Sequence, residues 1–137
     1  MPQRPDRNQQ AKFWLQKCAI DLMSAKRLVK DPPLLEPALF FSQQVVEKSL
    51  KAFLVWHGKQ IDKTHDIGRI AIEVLQLDPG LETLLKRATR LSPFAVVFRY
   101  PADDVPNPTA EEASQTLALA EEVYNEILKR LPKEARP

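Results

Sequence analysis

Residues 38–57 contain neither proline nor glycine, although the chain carries twelve prolines. Pro37 can occupy the first turn of a helix at little cost, and Gly58 suits the left-handed position that closes one. The stretch between them therefore reads as one long helix, from about Glu36 to His57. At about 100° per residue, Leu39, Val46, Leu50, Phe53, Leu54 and His57 fall on one face. Ala38, Phe41, Val45, Ala52 and Trp56 fall on a second face. Gln44, Glu47, Lys48 and Lys51 gather on the narrow remainder. A surface helix needs a single apolar face, so two faces demand packing on both sides. A further helix of the same chain or a second subunit would satisfy that demand, and a homodimer with this helix near the interface is expected.

The remaining segments have the same helical period. Leu15, Cys18, Leu22, Ala25 and Val29 make an apolar stripe in a helix from about Gln10 to Lys30, which the prolines of Asp31–Pro37 end. Ile67, Ile70, Ala71, Val74 and Leu75 mark a third helix, stopped at Asp78–Gly80. Leu81, Leu84, Leu85, Ala88 and Leu91 mark a fourth. Thr109 with Glu112 three residues on has the pattern of a capping box, and opens a fifth helix whose stripe is Ala113, Leu117, Ala120, Tyr124, Ile127 and Leu131. Ser92–Pro101 has strand-like propensity, but no partner strand is visible, so it reads as a helical turn or an extended linker. The expected fold is all-α, an up-down antiparallel bundle of four to five helices over residues 11–131, with a flexible tail at 1–10 and a short tail at 132–137.

The chain has 137 residues, 44% hydrophobic and 28% charged, with a formal net charge of +2. That length suggests one domain. So small a charge gives no case for non-specific binding to nucleic acid or membranes. The lone cysteine, Cys18, excludes an intrachain disulfide and reads as a small core residue. Two histidines and one cysteine, far apart, make no metal-ligand pattern, so neither a metal nor a cofactor is expected. The polar start of the chain has no signal-like apolar region, and no run of 18 apolar residues occurs. A cytoplasmic location and no membrane partner are expected.

The polar strip has two readings. Glu47 and Lys51 stand at i, i+4, as on a solvated rim where such a pair stabilises by a few tenths of a kcal/mol. Alternatively, Gln44, Lys48 and Lys51 line a groove that accepts phosphate. His65 and Asp66 either cap and pack at the start of the third helix, or place the imidazole near a bound phosphate or base. Arg99 and Tyr100 either dock their loop or pair with a phosphate and stack on a base. His57 reads as packed, and Lys86, Arg87 and Arg90 as a solvated face.

"QQVVEKSLKAFLVWHGKQIDKTHDI", from Gln43 to Ile67, resembles the signature of the HEPN domain (higher eukaryotes and prokaryotes nucleotide-binding). The matching residues are Gln43 or Gln44, Glu47, Lys48, Lys51, Ala52, Gly58, His65 and Asp66. Arg99, Tyr100 and Pro101 match a further segment of that signature, from which Phe94 and Val97 depart. The resemblance implies a helical bundle, commonly dimeric, that binds a nucleotide or RNA. It also implies one of two roles: partner of a separately encoded nucleotidyltransferase, in a toxin–antitoxin context, or metal-independent ribonuclease with an Arg-x(4–6)-His motif. The residues five to seven before His57 are Leu50, Lys51 and Ala52, and those before His65 are Gly58, Lys59 and Gln60. Neither window holds the arginine, and lysine lacks its bidentate fork. The expected role is therefore a binding module using Gln44, Lys48, Lys51, His65, Asp66, Arg99 and Tyr100. The alternatives are a divergent ribonuclease, with His65 acting beside Lys59 or Arg99, and a non-catalytic dimeric scaffold.

Overall fold

A computed structural model of the chain describes residues 6–61, 63–90 and 107–137. Five α-helices occur among the described residues: α1 (Arg7–Leu28), α2 (Leu35–Trp56), α3 (Ile67–Leu77), α4 (Glu82–Thr89) and α5 (Ala110–Arg130). No strand occurs among the described residues. The fold is the expected all-α bundle. The strand-or-turn question at Ser92–Pro101, and Arg99 and Tyr100 with it, lies outside the described residues.

Local chemistry sets the helix ends. The Asp6 carboxylate accepts from the Gln9 amide at 2.7 Å, so α1 begins at Arg7 rather than near Gln10. Thr109 Oγ1 accepts from the Glu112 amide at 3.1 Å and opens α5 as the sequence pattern implies. At the end of α2 the Gly58 amide donates to Val55 O and the Lys59 amide to Leu54 O, with Gly58 at a φ of 77°. This is the paired closure that a left-handed glycine permits. The C-terminal residues do more than trail: Lys133–Ala135 form a 3-10 turn whose Ala135 is buried in the core.

α1 and α2 form an antiparallel hairpin. Asn8 meets Trp56, Cys18 meets Val45 and Ser49, and Asp21 meets Lys48, so numbers rise along one helix as they fall along the other. α5 and α3 also pack on α2. Between Val45 and Val55 every residue except Lys48 is buried. A helix covered all round is a core helix, and here the chain's own elements supply the cover. Both apolar faces of α2 are thus occupied without a second subunit. Phe41 and Trp56 are half-buried; Trp56 Nε1 donates to Asn8 Oδ1 at 2.9 Å. Leu15, Cys18, Val46, Leu50, Phe53, Ile70, Val74, Leu85, Val123 and Ile127 belong to one continuous core.

α5 buries Thr116, Leu119 and Val123 besides the predicted stripe, of which Leu117 is only half-buried. The stripe is wider than its sequence pattern because α5 touches α1, α2 and α4 together. No helix among the described residues is long and apolar enough to cross a membrane.

Candidate functional site

The polar strip of α2 is not a solvated rim. Glu47 is 2% exposed and Lys51 5%. Lys51 Nζ donates to Glu47 Oε2 at 3.3 Å and lies 5.6 Å from the centroid of the Trp14 ring on α1. Beside them, Lys48 Nζ donates to Asp21 at 2.5 Å, and Asp21 too is buried. Two cations and two carboxylates are therefore drawn into the α1–α2 seam, each with an opposite charge. Pairing of this kind is what allows charge to leave water, since an isolated buried ion is strongly disfavoured. The reading of an exposed i, i+4 pair fails because the strip faces α1, with the Lys51 ammonium over the Trp14 ring.

One side chain carries this cluster to the surface. His65 Nδ1 donates to Glu47 Oε1 and Oε2, at 3.1 and 3.0 Å, while the His65 side chain stays 70% exposed. A carboxylate turned to both Lys51 and His65 joins the interior to solvent. Asp66 holds the ring's backbone in place. Its carboxylate caps α3, accepting from the Gly68 amide at 3.0 Å and the Arg69 amide at 3.4 Å, and Thr64 Oγ1 accepts from the Asp66 amide. Asp66 thus spends its acceptors on the helix start, where a carboxylate also complements the dipole.

Of the residues singled out in the sequence, Lys48, Lys51 and His65 are brought to this cluster, Lys51 enclosed in it and His65 open to solvent. Gln44, half-buried, lies on α2 one turn before Lys48. Asp66 acts as a cap, and Arg99 and Tyr100 lie outside the described residues. His57 Nδ1 donates to Phe53 O at 2.8 Å and its ring sits 4.3 Å from that of Phe53, which is the packed role expected of it. Two residues here were not among the candidates: Glu47, which joins Lys51 to His65, and Asp21, which pairs with Lys48. The signal for Asp21 was present, since an acid stands at core spacing between Cys18 and Ala25. Gln43 Oε1 is buried with no hydrogen-bond partner among the described residues.

Grooves among the described residues lie elsewhere. One of about 820 Å³ is lined by Asp6, Arg7, Gln10, Val55 and Gly58–Ile61. Another of about 440 Å³ is lined by Arg87, Arg90, Gln115, Thr116, Leu119 and Glu122, with Arg87 already bonded to Glu122. Burial pushes the Cys18 thiol up to about 12, against a smaller opposing effect of its hydrogen bond with Ser49.

A protein-family model, the HEPN domain, matches residues 11–131. The chain belongs to the HEPN family. The match spans all five helices, from the second turn of α1 to Leu131, the buried residue that closes α5. Neither a curated protein nor a solved structure matches this HEPN chain. Family membership makes it a module of the nucleotide-binding or ribonuclease type.

Proposed function

We propose that this HEPN chain is a nucleotide-binding and interaction module that works beside a separately encoded nucleotidyltransferase, in a toxin–antitoxin setting. The observation that carries the ligand site is the Glu47–His65 bond, which holds an exposed imidazole against a buried, charge-compensated cluster. In this site His65 and Lys48 reach the ligand, Gln44 flanks them, Asp66 fixes the loop and Lys51 acts through Glu47. Arg99 and Tyr100 complete the set by family resemblance.

The ribonuclease alternative draws less support. Lys51, at the right separation from His57, already faces Glu47 and Trp14. A phosphorane charge needs a cation free to meet it. Lys59 is exposed but is not arginine.

Calorimetric titration of the protein with ATP, GTP and a short RNA tests the ligand site. Binding of at least one, weakened tenfold or more by His65→Ala, is expected. No heat with any of them leaves a scaffold. Digestion of RNA in EDTA, abolished by His65→Ala, would instead establish the enzyme.

A homodimer belongs to the same proposal. Because α2 is enclosed by its own chain, the large apolar side chains left for a second copy include Phe13, Ile20 and Met23 on α1, each more than half exposed. Sedimentation of a dimer at tens of micromolar, converted to monomer by Ile20→Lys, is the expected result.

A further inference from the structure

Glu47 has a role beyond charge balance. A carboxylate can only accept, so both of its contacts with His65 require the proton on Nδ1. In the neutral ring Nε2 is then left with its lone pair. The ring is 70% exposed, and among the described residues no hydrogen bond reaches Nε2. Glu47 itself is immobilised: it is 2% exposed, sits mid-helix and is also bonded by Lys51 at 3.3 Å. The tautomer of a histidine is set by the bond its other nitrogen makes.

We propose that Glu47 is a positioning residue that locks His65 as the Nδ1–H tautomer and presents Nε2 to solvent as a hydrogen-bond acceptor. The ligand group that suits such an atom is a donor: a sugar hydroxyl or a base amine, not a phosphate oxygen. The site therefore reads the nucleoside part of a ligand at His65. The ligand class rests on the nucleotide-binding reading above; the tautomer does not.

The molecule contains its own control. His57 Nδ1 faces Phe53 O, which also can only accept, so His57 is an Nδ1–H tautomer for a reason independent of Glu47. The experiment is a two-bond 1H–15N correlation spectrum of the imidazole nitrogens in the full chain, at a pH where both rings are neutral. Two Nδ1–H rings are expected in the wild type. In the double variant Glu47→Met/Lys51→Met, which removes both buried charges together, His65 shifts to a mixture of tautomers and His57 does not. A wild-type His65 that is Nε2–H or already mixed overturns the assignment without any variant, and so does a His65 unmoved in a folded double variant. ATP should shift the Nε2 resonance while sodium tripolyphosphate leaves it in place. A shift caused by tripolyphosphate overturns the ligand class. Binding of neither, with the tautomer intact, overturns the nucleotide reading alone.

Discussion

At the scale of single residues, burial decides what each reactive group can do. Cys18 is fully buried, its Sγ 3.3 Å from Val45 O and 3.1 Å from Ser49 Oγ. With its thiol pushed up to about 12, the nucleophilic thiolate is scarce at any working pH. Cys18 is therefore expected to resist a disulfide reagent at pH 8 in the native protein and to react at once in denaturant. Rapid native labelling would show the α1–α2 seam to be open. That Cys18 is a core residue was legible in the apolar stripe around it. That Glu47 and Lys51 are buried was not: a helical wheel gives the direction of a side chain, not what lies opposite. The i, i+4 spacing of the two residues is the same on a solvated face as under Trp14. The buried pair makes its own prediction. Glu47→Met leaves Lys51 without its carboxylate and should cost about 3–5 kcal/mol in a denaturant melt. Glu47→Met/Lys51→Met should recover most of that loss, because no unpaired charge remains. A double variant as unstable as the single one would argue that packing, not charge, dominates there.

At the scale of elements, helix ends were more legible than helix surroundings. Caps are local chemistry, so Thr109, Asp66 and Gly58 could be placed from neighbouring residues alone. The start of α1 was misplaced because the capping acid, Asp6, stands among polar residues that resemble a tail. The partners of α2 were beyond local chemistry: two apolar faces fit a second subunit as well as a second helix, and only the packing of α1, α3 and α5 decides. Gly58 carries the element-scale prediction. Its φ of 77° strains any other residue, and an added Cβ would meet the Arg7 guanidinium at 3.1 Å. Gly58→Ala should destabilise the protein by about 1 kcal/mol. Pairing it with Arg7→Ala should return the steric share and leave the backbone share. An unchanged melting temperature in Gly58→Ala would mean that the end of α2 is closed in some other way.

At the scale of the whole molecule, one arginine joins distant parts of the chain. Arg130, in the last turn of α5, donates to Asp78 Oδ2 and Glu126 Oε2, each at 2.7 Å, and Asp78 in turn caps the 3-10 turn that leads into α4. The contact fastens the end of the bundle's last helix to the α3–α4 corner, across 52 residues of sequence. Its hydrogen bonds hold the carboxyls of both Asp78 and Glu126 below the usual carboxylate range, against a smaller opposing effect of burial. A carboxylate with a depressed folded pKa contributes stability that is complete above its unfolded pKa, near 4, and is lost as pH falls through the folded one. The triad sits at the half-exposed rim, so its contribution is modest, about 1 kcal/mol. Arg130→Met should therefore be less stable than the wild type by a constant amount above about pH 5. Below that the two stability curves should converge, because protonation removes from the wild type what the substitution has already removed from the variant. Urea midpoints measured from pH 7 to pH 2 would trace this convergence. A gap that stays constant into acid would assign the stabilisation to the packing of the arginine stem along α5, and the charge contacts would then be incidental to the closure of the bundle.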